Sequence, residues 1–306
     1  MPAWSWIPIV LAAAGAQTVR NAAQRSLITS AGTLPATLVR FVYGLPFAIA
    51  GLALVLVLHH GPLPSPNAAF VGWITLGAMA QLVATAFLLA AMAQRSFIVA
   101  VAYSKTELLQ IVLYSAVLLH EPVGPPVLVA IGLATLGVLL LSIVPAAGRR
   151  QSRLAWLSPA AGLGLACGAS FALSAVGFRG AALALGDEPA WVTGPYAVVW
   201  AQAMQSAVLA AWLAVRDPRG MDRALREWRI SLLAGFSGAL ASTGWVIAFA
   251  LRNAADVRTV GLAEVIYGYV VSRRFFAERV STRELAGIAL IAAGILLVSV
   301  SAGSST

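Results

Sequence analysis

The chain has 306 residues, of which 60% are hydrophobic and only 10% charged, with a mean hydropathy of +0.88. Thirty-one acidic and basic side chains cannot cover the surface of a water-soluble globule of this size, so a soluble domain is excluded and an integral membrane protein is implied. The net charge of +9 comes from arginines scattered between apolar runs, a pattern that sets membrane orientation and offers no folded surface to nucleic acid.

In chain order the apolar runs predict helices near 4 to 28, 35 to 58, 68 to 93, 97 to 119 and 125 to 145, then 156 to 179, 189 to 214, 230 to 251, 256 to 275 and 284 to 301. No basic segment precedes the first run, so no cleavable signal is expected. The Pro-rich turn 59 to 67 and the basic connection 146 to 155 interrupt the pattern, and the latter divides the chain into 1 to 145 and 156 to 306. The fold class expected is all-α: ten transmembrane helices in two five-helix repeats. An offset of 157 residues aligns 84 to 142 with 241 to 299 without a gap, matching 15 of 59 positions, among them Glu107 with Glu264, Glu121 with Glu278 and Gly137 with Gly294. Because five is odd, the second repeat enters from the opposite side, which makes the repeats inverted.

Fourteen of the 16 arginines in connections fall on one side, including those of 146 to 155 and 215 to 229; only Arg179 and Arg252 fall on the other. The positive-inside rule then places both termini outside the cytoplasm of a cell inner (plasma) membrane. One cysteine, Cys167, and three histidines supply neither a disulfide framework nor a metal cluster. Phosphate-binding, metalloprotease and nucleophile-elbow motifs are missing, so no enzyme, catalytic residue, metal or cofactor is expected.

Six ionisable residues remain inside spans: Arg20, Arg40, Lys105, Glu107, Arg258 and Glu264. An ionised side chain at the bilayer centre costs at least ~2.5 to 3.5 kcal/mol, so these residues belong at a protein interior or a water-filled path. Tyr103, Glu107, Gln110 and Tyr114 share one helical stripe, and its repeat partner carries Glu264 and Tyr267. Gln17, Arg20, Asn21 and Gln24 form a second stripe, read as a water-lined face. Two readings stand for each group. The glutamates are either architectural ion pairs or working carboxylates, and Arg20 faces either an anionic ligand or Glu107. Lys105 lies roughly 200 degrees from Glu107 on an unbroken helix, and snorkelling to the headgroups accounts for it and for Arg40. Gln81, Gln202, Gln205 and Trp245 complete the candidates as interhelical donors.

The segment "KTELLQIVLYSAVLLHEP", echoed by "GLAEVIYGYVVSRRFFAERVSTRELAGIALIAAGILLVS", together with ten spans in inverted repeats, resembles the drug/metabolite transporter superfamily, EamA type. The resemblance spans essentially the whole chain, and Glu121 and Glu278, each followed by a Gly/Ala-rich closing helix, are its most specific carriers. It implies a secondary transporter, often an exporter of amino acids or small metabolites, with a central cavity built by both halves. It also implies cytoplasmic termini in many members, opposite to the arginine count. Small multidrug-resistance relatives carry an acid in the first span to bind cations; Arg20 stands in that helix here. Within-span charges sum to +2, which suits an anionic or zwitterionic substrate, with membrane lipid and protons as further partners. Flipping of lipid-linked substrates and a non-transporting scaffold subunit are the alternatives.

Overall fold

The computed structural model describes residues 4–94, 104–121, 123–142, 159–186, 188–275 and 282–303. Among them the only regular structure is helical, in thirteen segments: α1 Trp6–Ala31, α2 Thr33–Val42, α3 Gly44–His59, α4 Ala68–Gln94, α5 Glu107–Leu118, α6 Pro125–Ser142, α7 Pro159–Ala184, α8 Ala190–Arg216, α9 Pro218–Arg226, α10 Trp228–Leu251, α11 Ala254–Val260, α12 Ala263–Phe275 and α13 Thr282–Gly303. Among the described residues five stretches are long and apolar enough to cross a membrane: Thr33–His59 (α2 running into α3), Ala68–Gln94, Gly162–Ala184, Ala190–Arg216 and Trp228–Leu251. Twenty-seven residues reach roughly 40 Å, more than the hydrocarbon core. These helices fit a multi-pass membrane protein.

The distribution of side chains fits a bundle in lipid. On α10, Ala234, Gly235, Gly238 and Ala241 are buried while Leu233, Phe236 and Leu240 face outwards. Small residues let helix backbones approach, and dispersion between them supplies the association that water would otherwise drive. The principal helix pairs are α4 with α7, α1 with α10 and α6 with α13. At the first of these crossings a Cβ on Gly177 would stand 2.6 Å from the Gly77 Cα, closer than real contacts allow. Gly177→Ala is therefore expected to cost about 1 to 3 kcal/mol by overpacking, read as a lowered unfolding temperature in detergent. Gly72→Ala, on the same α4 but facing open space, should be neutral or slightly stabilising. Equal effects at the two sites would show that the crossing is not tightly packed.

Two expectations need correction. The connection 215 to 229 is not simply a loop: α9 occupies it, started by Pro218 and by Asp217 accepting from the Gly220 N–H, with Ala224 buried and Arg219, Arg223 and Arg226 outwards. The ninth run is not one helix, since α11 ends at Val260 and α12 begins at Ala263 after a turn at Gly261 and Leu262. The fourth run has a matching turn at Lys105 and Thr106, just before α5. Residues 95 to 103, with Tyr103, the connection 146 to 155, and Glu278 lie outside the described residues.

Candidate functional site

Each of the two turns leads into a helix with a glutamate in its first turn, Glu107 in α5 and Glu264 in α12. There the unpaired N–H groups and the helix dipole favour a carboxylate. Close packing holds the turns. A Cβ on Gly168 of α7 would meet the Glu107 nitrogen at 2.9 Å, and one on Gly261 would meet the Trp245 ring at 2.4 Å. Larger residues there would push the turns out of place.

The ion pairs are reciprocal. Nη2 of Arg258, on α11, donates to both oxygens of Glu107 at 2.7 and 2.6 Å. Nζ of Lys105, just ahead of α5, donates to Oε2 of Glu264 at 2.5 Å and lies 3.5 Å from Oε1 of Glu107. Each broken segment thus supplies the cation for the other's carboxylate. All four residues are at most 6% exposed, so their charges are screened by each other and not by water. The turn resolves the sequence-level conflict at Lys105. It sits outside the regular helix that carries Glu107, which lets both side chains turn inwards and rules out snorkelling.

The α1 stripe serves this centre. Gln17 Nε2 donates to Glu264 Oε2 at 2.7 Å, Asn21 Nδ2 donates to Glu264 Oε1 at 2.8 Å, and the Trp245 indole donates to Gln17 Oε1 at 2.9 Å. The guanidinium of Arg258 lies 4.5 Å from the Trp245 ring centroid and 5.8 Å from that of Phe171, between a face of α10 and one of α7. The water-lined reading of the stripe is not supported: Gln17, Arg20, Asn21 and Gln24 are all at most 3% exposed and face protein. Gln24 ties α1 to α2 through the Ala36 carbonyl and does not reach the carboxylates. Arg20 does not pair with Glu107; its Nε and Nη2 both donate to Asn21 Oδ1.

The remaining candidates divide. Gln81 accepts from Gln205 at 3.0 Å and lines a small recess together with Gln17, Ser174, Ser242, Trp245 and Arg258. Tyr267 is half-buried and packs at Gly15 of α1, while Gln110 and Tyr114 are half-buried without a hydrogen bond to the cluster. Arg258 and Arg40, both buried, are the residues whose importance sequence reasoning underrated. The signal was present, since an ionisable side chain inside an apolar run is unusual wherever it occurs.

Next to the recess lies a further ion pair. Arg179 at the end of α7 donates through Nε and Nη2 to Glu121 Oε1 at 3.0 and 2.8 Å, and through Nη1 to the carbonyls of Phe249 and Ala250 at 2.7 and 3.2 Å. It ties the end of α10 and the α5–α6 connection to α7, beside the recess-lining Phe178 and Phe249. Charge-assisted hydrogen bonds of this kind contribute about 1.5 to 3 kcal/mol. Arg179→Gln is expected to speed thiol labelling of a cysteine placed at Ser174, in a Cys167→Ser background, by about tenfold or more. An unchanged rate would mean that this ion pair does not limit access to the recess.

No group of His, Cys, Asp and Glu suited to a metal ion occurs among the described residues. No family model matches the chain, and no curated protein matches it. Among solved structures, one described only as the crystal structure of a protein superposes with a TM-score of 0.69 at 19% identity, covering 97% of this chain and 97% of that one. At that identity the likeness establishes a shared fold and nothing of activity.

Proposed function

We propose that the protein is a secondary transporter of the drug/metabolite transporter type, moving a small anionic or zwitterionic metabolite by alternating access, with Glu107 and Glu264 as coupling carboxylates. The observation that carries the proposal is the reciprocal pairing of two broken segments, Glu107 with Arg258 and Glu264 with Lys105. Broken helices that bring charges to the middle of a bundle are the usual way in which secondary transporters build a substrate and ion site. A scaffold subunit needs no such centre.

The ten-helix, inverted-repeat reading is favoured by the packing. Exchanging the first repeat for the second turns the α4–α7 pair into the α10–α1 pair, and the α5–α7 contact into the α12–α1 contact. Both members of each exchange are present. In this reading α11 with α12 is one interrupted span, and α9 lies along the cytoplasmic surface with its arginines towards the headgroups.

Movement of the two halves would separate the reciprocal pairs. A carboxylate left without its base in an apolar site is stable only when a proton neutralises it, so proton uptake and pair separation become linked. The test is a thermal-shift screen of water-soluble metabolites and of lipids, followed by counterflow of the stabilising compound in proteoliposomes. A ligand at 100 times its dissociation constant stabilises by ~2.7 kcal/mol. A soluble anion that both stabilises and exchanges is expected. Stabilisation by polyprenyl or phospholipid compounds alone would replace the reading with lipid-linked substrate flipping, and binding without flux would replace it with a non-transporting role.

A further inference from the structure

Among the described residues seven charged side chains are buried and they are not evenly matched; Asp256 pairs with Arg252, away from the central cluster. Arg258 and Lys105 are taken up by the two glutamates, and the surplus falls on Arg20 and Arg40, each 1% exposed. No described carboxylate forms an ion pair with either. Arg20 donates twice, to the single oxygen Asn21 Oδ1, which is itself part of the amide that serves Glu264. Arg40 has a bond of 2.6 Å to Thr85 Oγ1 and a long one of 3.4 Å to Ser242 Oγ, and its Nε is buried with no acceptor. A guanidinium has five N–H donors, and two neutral hydroxyls leave most of them without a strong acceptor.

The two side chains are neighbours. A Cβ on Gly238 of α10 would stand 3.2 Å from Arg40 Cγ and 3.3 Å from Arg20 Cδ, so both stems cross the helix at a residue that has no side chain. Their charges repel, and Glu264, committed to three other donors, attracts both only at longer range. Ser242, the weaker partner of Arg40, also lines the recess that reaches Trp245 and Arg258.

We infer that Arg20 and Arg40 form an oxyanion subsite, taking a carboxylate or phosphate group that enters through the recess past Ser242 and displaces the long Arg40–Ser242 bond. Two guanidiniums facing one anion replace their mutual repulsion with charge-assisted hydrogen bonds, the strongest class available to them. This deepens the transport reading, on which it rests only in calling the anion the cargo. Anion binding without flux would leave the subsite standing and remove transport, whereas flux with no anion bound at the arginines would do the reverse.

The experiment is calorimetric titration of the full-length protein in neutral detergent with inorganic phosphate, with succinate and with phosphatidylglycerol, against sodium chloride of equal ionic strength. The parent should bind at least one of these above the chloride control. Arg20→Gln and Arg40→Gln should each weaken that binding by about tenfold or more. Arg40→Lys should retain part of it, since charge survives while the fork is lost. Gly238→Ala removes no charge but moves both stems, and should weaken binding too, which keeps the test open if a glutamine variant fails to fold. Binding of phosphate or succinate makes the source a soluble metabolite; binding of phosphatidylglycerol alone makes it a lipid headgroup. Absence of binding by the parent, or binding that the Arg40→Lys and Gly238→Ala variants leave intact, would overturn the subsite.

Discussion

Glu107→Gln is expected to lower the stability of the detergent-solubilised protein by about 3 to 5 kcal/mol, because it leaves the Arg258 guanidinium buried without its counter-ion. Arg258→Gln should also destabilise, though by less, because Glu107 keeps the longer contact to Lys105. The double substitution removes both charges and should recover much of the loss, with a coupling energy of about 1 to 3 kcal/mol between the two positions. The neighbouring Lys105, 3.5 Å from Glu107, keeps the recovery incomplete. Chemical unfolding followed by the two variants and their combination provides the measurement. Strictly additive losses would mean that the pair is a geometric coincidence with no energetic content.

Glu264→Gln acts differently, because three donors converge on this carboxylate: Gln17 and Lys105 on Oε2 and Asn21 on Oε1. A glutamine offers one oxygen and one NH2, so in either orientation a donor faces a donor. The expected result is loss of gradient-driven accumulation by at least tenfold, while affinity for the transported anion changes by less, since Arg20 and Arg40 are untouched. Gln17→Ala removes one donor and the acceptor of the Trp245 indole, and should produce a milder version of the same defect. Equal losses of affinity and accumulation in Glu264→Gln would assign the carboxylate to substrate binding alone.

Much of the helical layout was legible because span length and the scarcity of charge are both read directly from residue order. The run at 68 to 93 emerges as Ala68–Gln94 and that at 189 to 214 as Ala190–Arg216. The two turns that create the site were not legible. Neither contains proline, and Lys105 and Thr106 are compatible with a continuing helix; only Gly261 hinted at a break. Burial of Glu107 and Glu264 followed from the cost of charge in lipid, yet their partners did not, because pairing Lys105 with Glu264 depends on contacts 159 residues apart. Arg40 was misread for a related reason. Five residues from a span end, a long side chain can snorkel, and only the position of α2 against α10 shows that this one points inwards to Thr85 and Ser242. The α9 helix was hidden by its composition, since a short run of arginines resembles a loop until Gly220 and Ala224 are seen buried on one face.

The reciprocal carboxylate–base pairs are proposed to exchange a proton as the halves move, and proton movement evoked by substrate tests that claim most directly. Proteoliposomes loaded with a pH-sensitive dye and no imposed gradient would receive the transported anion on one side. The parent protein should change the lumenal pH as the anion crosses, and the Glu107→Gln and Glu264→Gln variants should lose that change. Anion flux in the parent without any pH change, or an undiminished pH change in both glutamine variants, would contradict the account and leave the two pairs as architecture.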